Sequence, residues 1–410
     1  MLKNSKKAMA LLLTAAMSTT LLAGCGNKKD DNAKSDNKGG SKKVSLKVWG
    51  AQDDQALLKE MVESFKEAHK DKEYDISFGV VSEADAKGKV LEDPAAAADV
   101  FAFSNDQIWD LYNAGALYEI TRNKDQIISA NSEGSIEAAT IDGKLYAYPM
   151  TADNGYFLYY DKSVVSDEDA KTLDGILAAA NKANKKVFMD VSNGWYIASF
   201  FLGAGCTLSI KDGKQVCDFN NEKGLKAAEA IKAFTADKAF MTGDANEVLP
   251  GGIGDTIVAG VCGTWVADAI KEKLGDNFGA AKLPTFTYGG EQVQMGSFAG
   301  YKLVGVKAQT KNPVEAMELA EWLTNEQNQL LRFQKRAMGP SNVKVAESAE
   351  VKANLPLAAL AEQSKFATSQ KDVLNSYWTP AEAFGTAMEA KDYSKSLQEQ
   401  LDEMVAQIQQ

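Results

Sequence analysis

The apolar pattern switches repeatedly between the period of a strand and the period of a helix, and this alternation restricts the chain to few folds. Apolar and polar residues alternate over 44–50, which predicts a strand, and apolar residues then recur at helical spacing over 57–68. The same cycle continues with strands at 74–80 and 98–103 and helices at 82–91 and 105–114. Strands that alternate with helices predict an α/β domain with a largely parallel sheet.

A second region of the same kind is predicted after Tyr160. The chain has 410 residues, more than one ordinary hydrophobic core serves, so two domains are expected. Its predicted elements are strands at 186–190 and 258–262 and helices at 168–183, 221–236, 313–332, 344–368 and 391–408.

The N-terminus has the pattern of a bacterial secretion signal. A basic start precedes an apolar run at 8–22, which is shorter than the roughly 20 residues that span a bilayer. Residues 21–26 read Leu-Leu-Ala-Gly-Cys-Gly and resemble a lipobox. The resemblance implies removal of residues 1–24, acylation of Cys25, and a protein anchored by lipid at the outer face of the cytoplasmic membrane.

Residues 25–43 are predicted to form a flexible tether. After Cys25 they are Lys, Asp, Asn, Gly and Ser with one alanine and no large apolar residue, so they cannot bury enough surface to offset the entropy of ordering. Folded structure is expected to begin at Val44.

Charge and residue usage exclude several classes of function. The formal net charge of −11 falls to about −14 without residues 1–24, and phosphate repels such a chain, so nucleic acid is not expected as a partner. His69 is the single histidine, and no nucleophile motif or set of metal ligands accompanies it. We therefore predict no cofactor, no metal and no catalytic residue. A surface glycoside hydrolase stays open as an alternative, because its two-acid mechanism needs only carboxylates.

Two cysteines flank a predicted hairpin. Cys206 and Cys217 lie on either side of a turn at Asp212-Gly213. A disulfide across the hairpin is compatible with an extracellular location, and two free buried thiols are equally compatible with the sequence.

The tryptophans divide into two groups. Trp109 and Trp322 lie inside predicted helices and are expected in the core. A sugar ring has an apolar face that an indole can cover and a hydroxyl rim that Asp, Asn or Gln must satisfy. Open α/β sheets bind ligands at the carboxyl ends of their strands. The tryptophans at predicted strand ends or in loops, close to polar residues, are Trp49, Trp195, Trp265 and Trp378.

Several short motifs point to one family. They are Ile141-Asp-Gly-Lys-Leu-Tyr-Ala-Tyr-Pro-Met, Phe157-Leu-Tyr-Tyr-Asp-Lys, Ala114-Gly-Ala-Leu-Tyr-Glu-Ile-Thr, Gly263-Thr-Trp, Leu283-Pro-Thr-Phe and Tyr377-Trp378. Together they resemble the extracellular solute-binding proteins of carbohydrate ABC importers, in particular the maltose and maltodextrin type. The resemblance runs from about Leu46 to the end of the chain.

The resemblance implies a two-lobed periplasmic-binding-protein-like α/β fold, with a hinge and a ligand cleft between the lobes. The chain is expected to cross between lobes near 150–155, 294–300 and 340–350. The N-terminal lobe would then comprise 44–152 plus 300–345, and the C-terminal lobe 153–299 plus 346–410. The expected partners are an oligosaccharide, the transmembrane subunits of an ABC permease and, through the anchor, the membrane; the protein is expected to be a monomer.

The resemblance also implies ligand contacts, residue by residue. Trp265 and Trp378 match aromatic platforms, Trp195 takes the place of a stacking tyrosine, and Asp153 takes the place of a hinge glutamate. Phe103 and Asn193 depart from the family pattern, which has a tryptophan and an acid there. For Asp53 a helix N-cap, and for Phe103 a core position, remain open alternatives. The full predicted ligand site is Trp49, Asp53, Phe103, Asp106, Asp153, Tyr156, Asn193, Trp195, Trp265, Tyr377 and Trp378.

The predicted function is capture of malto-oligosaccharides outside the cell and their delivery to a permease. A different oligosaccharide and a surface glycoside hydrolase are the alternatives.

Overall fold

The computed structural model describes residues 43–410. The predicted signal segment 1–24, the acylation site Cys25 and the predicted tether up to residue 42 lie outside the described residues. Within 43–410, the helices are too short or too polar to cross a membrane.

Strands and helices follow one another along the described chain. The strands are β1 (Lys43–Gly50), β2 (Glu73–Val80), β3 (Val100–Ser104), β4 (Thr140–Ile141), β5 (Lys144–Leu145), β6 (Ala147–Asn154), β7 (Phe157–Asp161), β8 (Lys186–Phe188), β9 (Leu208–Lys211), β10 (Lys214–Cys217), β11 (Phe240–Met241), β12 (Ile257–Cys262), β13 (Phe278–Ala281), β14 (Thr285–Tyr288), β15 (Glu291–Gln294), β16 (Ser297–Val306) and β17 (Ala367–Ser369). The helices are α1 (Gln55–Ala68), α2 (Ala86–Glu92), α3 (Ile108–Asn113), α4 (Lys124–Ala130), α5 (Glu133–Ala138), α6 (Leu173–Ala183), α7 (Gly194–Gly203), α8 (Glu222–Ala236), α9 (Val248–Gly252), α10 (Ala267–Leu274), α11 (Pro313–Thr324), α12 (Glu326–Arg336), α13 (Val343–Ala346), α14 (Ala349–Lys352), α15 (Leu355–Ser364), α16 (Trp378–Glu389) and α17 (Leu397–Ile408).

The first sheet has the strand order β17-β16-β3-β1-β2, and β6 also pairs with β16. β1 runs parallel to β2 and β3, whereas β16 runs antiparallel to β3 and β6. Its hydrophobic core includes buried residues of β1, β2, β3, β6 and β16 and of α1 and α11, and Phe65 of α1 is fully buried in it. Burial of a side chain of this size stabilises the fold by about 1.5–3 kcal/mol.

The second sheet has the order β11-β8-β12-β7-β13 and its own core. β8 is parallel to β11 and β12, and β7 is antiparallel to β12 and β13. The chain passes from the first sheet to the second between β6 and β7, and returns between β15 and β16. The core of the second sheet also includes residues of α16 and α17, so the chain passes to the second sheet once more after α12.

Most of the predicted elements are present, with three corrections. Both sheets are mixed rather than largely parallel, because β16 runs antiparallel to β3 and β6, and β7 runs antiparallel to β12 and β13. The predicted helix at 313–332 is two helices, since the Asn325 side chain caps α12 by accepting from Asn328 N. The predicted helix at 344–368 is α13, α14 and α15, separated by the caps Ser348 and Asn354, followed by β17.

The predicted hairpin is present as β9 and β10. Asp212 and Gly213 have φ of 53° and 75°, the left-handed geometry that a two-residue hairpin turn requires. Cys206 and Cys217 are free and buried, so the alternative with two thiols is confirmed.

Candidate functional site

A cavity of about 1260 Å³ lies between the two sheets. Pockets for drug-sized ligands measure about 300–1,000 Å³, so this cavity has room for a longer molecule. Its walls come from residues that are far apart in sequence, from Ala51 to Glu382.

The first-sheet wall is polar and follows the carboxyl ends of parallel strands. Asp53 lies in a 3-10 turn directly after β1, Glu83 lies after β2, and Asp106 lies in a 3-10 turn after β3. Because β1, β2 and β3 are parallel, their following loops meet at one edge of the sheet. Three carboxylates are thus collected on one side of the cavity.

The second-sheet wall is aromatic. Trp195 lies in the first turn of α7 after β8, Trp265 in a 3-10 turn after β12, and Trp378 at the start of α16. All three are half-buried: they pack against the second core and also line the cavity. The ring centroids of Trp195 and Trp265 are 6.0 Å apart with planes inclined by 31°. This wall offers flat apolar surfaces opposite a polar wall.

Buried tyrosines support the aromatic wall from beneath. Tyr156 meets Trp195 edge-on at 4.5 Å and donates its hydroxyl hydrogen to the Trp195 carbonyl at 2.8 Å. Tyr377 meets Trp378 edge-on at 5.1 Å and donates to the carbonyl of Gly194 at 2.9 Å. These contacts hold the indoles in place, because edge-to-face pairs contribute about 0.5–1.5 kcal/mol beyond area burial.

Polar neighbours also fix the indoles. Trp265 Nε1 donates to Asn246 Oδ1 at 2.7 Å, and a Cβ at Gly263 would lie 2.0 Å from the Trp265 ring, so only glycine admits this conformation. Asn193 caps α7 by accepting from Trp195 N at 2.9 Å. Lys302 reaches across from β16, with Nζ 3.9 Å from Glu83 Oε1 and 5.7 Å from the Trp265 ring centroid.

The cavity carries an excess of negative charge. Among the described residues its lining includes nine carboxylates and four cationic side chains, which favours a neutral or cationic ligand over an anionic one. Burial raises the pKa of Asp106 to about 6 and that of Asp190 to about 6, although hydrogen bonds to both carboxylates oppose the shift. The nine carboxylates belong to Asp53, Asp54, Glu83, Asp85, Glu92, Asp106, Asp190, Asp244 and Glu382.

A family comparison decides what kind of protein this geometry belongs to. A model of the family described as bacterial extracellular solute-binding protein matches residues 60–359. The chain belongs to this family. The resemblance drawn from the sequence motifs is therefore confirmed.

Curated relatives of this solute-binding protein cover nearly the whole chain. The galactooligosaccharide-binding protein of Bacillus subtilis (strain 168) is 30% identical over 403 residues, 93% of this chain and 92% of the relative. The maltooligosaccharide ABC transporter solute-binding lipoprotein of Streptococcus pneumoniae serotype 4 is 24% identical over 406 residues, 92% of this chain and 90% of the relative. Both relatives are named as binding or transport proteins rather than as enzymes.

Solved structures show the same fold. A structure with acarbose is 33% identical, has a TM-score of 0.82, and covers 90% of this chain and 99% of its own. The maltodextrin-binding protein MalE1 from L. casei BL23 without ligand is 27% identical, has a TM-score of 0.77, and covers the same shares, 90% and 99%. The expected two-lobed binding fold is confirmed, with the cavity as the cleft between the lobes.

Six of the predicted ligand contacts line the cleft of the solute-binding protein: Asp53, Asp106, Asn193, Trp195, Trp265 and Trp378. Asp53 does not cap α1, since Asp54 occupies the N-cap position. The Asp53 side chain instead lies 3.5 Å from Arg336 at the cleft wall.

Two predicted contacts lie in or against the first core instead. Phe103 is fully buried in β3, a strand whose residues are buried throughout, and packs against Phe101, so the core alternative holds. Trp49 packs on Gly79, where a Cβ would lie 2.6 Å from the indole, and it does not line the cavity. Because Gly79 has no side chain, the Trp49 indole can lie against the neighbouring strand β2.

Three further predicted contacts support the site from behind. Tyr156 and Tyr377 are fully buried and present no surface to a ligand. Asp153 is buried, and its Oδ2 accepts from Gly339 N at 2.7 Å and Thr264 Oγ1 at 2.9 Å. Asp153 therefore joins the end of β6 to two distant segments and does not line the cleft.

Sequence reasoning missed several residues of the cleft. Asp190 and Asn246 follow β8 and β11, so the rule that strand ends form the site could have identified them. Lys302 had no such signal, because it lies within β16, and Gln370 was missed because β17, the strand directly before it, was not predicted.

The single histidine of the chain does not line the cleft. Residues 43–410 contain no group of three His, Cys, Asp or Glu side chains arranged to hold a metal. His69 lies at the end of α1, with Nδ1 2.8 Å from the Phe65 carbonyl oxygen and its ring 4.2 Å from the Phe65 ring.

Proposed function

We propose that this protein is the lipid-anchored solute-binding component of an ABC importer, and that it captures malto-oligosaccharides. The observation that carries the sugar assignment is the cleft itself, in which three fixed indoles face a wall of carboxylates. Indoles can cover the apolar faces of successive pyranose rings, and the carboxylates can accept their hydroxyls. The cavity volume of about 1260 Å³ suits an oligosaccharide better than a single ring.

The ligands named for relatives support an oligosaccharide. One structural relative is solved with acarbose, and a curated relative is named for maltooligosaccharide. The relative at 30% identity is named for galactooligosaccharide, so a galactose-based oligosaccharide is the second candidate.

The anchor, lobe boundaries and partners complete the proposal. Acylated Cys25 would hold the protein at the outer face of the cytoplasmic membrane, as the lipoprotein name of a relative supports. We assign 44–152 plus 300–345 to the N-terminal lobe and 153–299 plus 346–410 to the C-terminal lobe. The protein would act as a monomer and present its loaded form to the transmembrane subunits of the permease.

Calorimetry on residues 44–410 tests the sugar assignment. Maltose, maltotriose and maltotetraose should each release heat on binding, and galacto-oligosaccharides should bind more weakly. Binding of the galactose series alone would favour the second candidate, and no heat with either series would refute an oligosaccharide ligand. Recovery of the sugar with its chain length unchanged is expected, whereas shortened products would indicate a hydrolase.

Substitution of the indoles tests the stacking mechanism. Trp265→Ala and Trp378→Ala should each weaken maltotriose binding by about 30-fold, since truncation of a central aromatic anchor costs about 2 kcal/mol. Trp109→Ala is the matched control, because Trp109 is half-buried on the first core outside the cavity. Equal affinity of all three variants and the unchanged protein would refute stacking.

A further inference from the structure

A short segment is hydrogen-bonded to both sides of the cleft. We name residues 367–375 the strap; it begins as β17, which pairs with the start of β16. Lys371 Nζ donates to the carbonyls of Glu137 and Thr140 at 2.7 and 2.8 Å, on the side of the first sheet. On the side of the second sheet, the Gln215 amide bonds to the carbonyl of Asp372 at 3.2 Å and to the N–H of Leu374 at 2.6 Å. The strap is therefore held by hydrogen bonds on both sides of the cleft.

Gln370 is the residue of the strap that enters the ligand site. Its side chain lines the cleft and is 5% exposed. Gln370 Nε2 donates to Asp106 Oδ1 at 2.9 Å, and Gln370 Oε1 accepts from Trp195 Nε1 at 3.0 Å. A single amide thus joins a carboxylate of the first-sheet wall to an indole of the second-sheet wall.

The chemistry of the two partners sets the orientation of this amide. An indole N–H can only donate, and an ionised carboxylate can only accept. The amide oxygen of Gln370 must therefore face Trp195, and its NH₂ group must face Asp106. The reversed amide would set NH₂ against N–H and oxygen against carboxylate.

We propose that Gln370 is a positioning residue for ligand binding, which couples the protonation of Asp106 to the hydrogen bond that holds the Trp195 indole. This inference rests on the proposed function, because it assigns a role within the same site. With Asp106 ionised, Gln370 holds both groups in the geometry described here. With Asp106 protonated, the remaining acceptor oxygen of the neutral carboxyl group accepts more weakly from Gln370 Nε2, so the amide orientation that serves Trp195 is held less firmly.

The charged neighbours of Asp106 define what else can act on it. Lys87 from α2 favours its ionised form, and Asp110 from α3 opposes it. Lys87 Nζ bonds to Asp110 Oδ2 at 2.9 Å and to Asn375 Oδ1 of the strap at 3.0 Å. Gln370 is the side chain that connects this group of charges to the aromatic wall.

An experiment without ligand tests the coupling directly. In NMR spectra of residues 44–410 labelled with ¹⁵N-tryptophan, each indole N–H gives one signal. The Trp195 signal is identified as the one that is lost in Trp195→Phe. We expect this signal to move with a midpoint near pH 6 and to stop moving in Asp106→Asn and in Gln370→Met. Asp190→Asn is the control for the second acid whose pKa burial raises to about 6, and it should leave the titration in place.

A second variant keeps the test independent of how well Gln370→Met folds. Gln370→Glu retains an acceptor for the Trp195 N–H and sets a second carboxylate against Asp106. The midpoint of the Trp195 titration should therefore move to higher pH. A Trp195 signal that does not titrate, or that titrates identically in Gln370→Met and Gln370→Glu, would overturn the proposal.

Affinity measurements then separate positioning from a purely structural role. Gln370→Met should weaken maltotriose binding at pH 7.5 about tenfold and move the acid limb of the affinity profile to higher pH, because the Asp106 carboxylate loses a donor. Gln363→Met is the matched control: Gln363 is a buried glutamine that bonds to Leu283 N, the Met295 carbonyl and Ser297 Oγ, outside the cleft. It should lower stability and leave the acid limb in place.

The two assays distinguish the failure of the inference from the failure of the proposed function. If the unchanged protein binds no oligosaccharide, the function is refuted and the Trp195 titration still judges Gln370. If the protein binds sugar and the acid limb is the same in Gln370→Met, the positioning role is refuted and the function stands.

Discussion

Replacement of Asp153 by alanine should destabilise the protein more than the loss of one surface acid. Asp153 is 2% exposed and lies near the end of β6, where the chain leaves the first sheet. Its Oδ2 accepts from the backbone N–H of Gly339, in the segment after α12, and from the hydroxyl of Thr264, in the turn after β12. One carboxylate oxygen therefore joins three segments that are distant in sequence.

The magnitude follows from the two donors that the variant leaves without a partner. Gly339 and Thr264 both lie in the buried surroundings of Asp153, and a buried donor left unsatisfied costs about 1–3 kcal/mol. We therefore expect Asp153→Ala to lower the free energy of unfolding by about 2–6 kcal/mol. The shortened side chain adds a small cavity, which acts in the same direction.

Urea unfolding of residues 44–410 at 25 °C, followed by circular dichroism, measures this free energy. Asp53→Ala is the matched control, because the same chemical change is made at an exposed carboxylate whose ion pair with Arg336 is screened by water. That variant should unfold at nearly the urea concentration of the unchanged protein.

The opposite pattern would refute the structural role of Asp153. If Asp153→Ala unfolded like the unchanged protein and bound maltotriose much more weakly, Asp153 would be a ligand contact. That result would restore the role implied by its place in the family pattern.

Three further predictions concern the pH dependence of affinity, the pH dependence of stability, and the reactivity of the cysteines. Ligand affinity should fall as pH drops through about 6, because burial raises the pKa of Asp106 and Asp190 to about 6 and protonated acids accept hydroxyls less well; calorimetry from about pH 5 to 8 checks this. The contribution of these two acids to stability changes with pH in the opposite direction. Because their pKa in the folded state lies above the unfolded value, the folded state binds more protons between about pH 4 and 6. The stability of the unchanged protein relative to Asp106→Asn should therefore rise as pH falls, and urea unfolding measures it. Cys206, Cys217 and Cys262 should resist a thiol reagent in the native protein, since burial raises the pKa of each to about 12. After unfolding without reductant, mass spectrometry should show all three alkylated. Alkylation of Cys262 alone would instead reveal a disulfide between Cys206 and Cys217.

The sequence was most informative where a local pattern has one physical cause. Period-two alternation predicted β1 and β2, and helical spacing predicted α1, because each pattern reports which face of a segment is buried. Asp212-Gly213 predicted the hairpin turn for a similar reason, since few residues accept positive φ at both central positions. Family motifs then supplied the two-lobed fold, which periodicity alone does not specify.

Part of the ligand site could also be predicted. Trp195, Trp265 and Trp378 lie outside the regular strands, among polar residues, and all three line the cleft. Their predicted positions at strand ends or in loops identified them; Trp195 and Trp265 follow the parallel strands β8 and β12, which present their carboxyl ends together.

What the sequence determined by itself is the set of strands, helices and turns and the kind of side chains that a sugar site requires. Only the tertiary structure decided which of those side chains face the cleft. Asp153, Tyr156 and Tyr377 are turned away from it, and Gln370 is brought into it by a strap that bonds to both lobes. The physical reason is that periodicity reports only which face of a local segment is buried. Trp195 and Gln370 are 175 residues apart, and whether they meet depends on how the two sheets pack around the hinge.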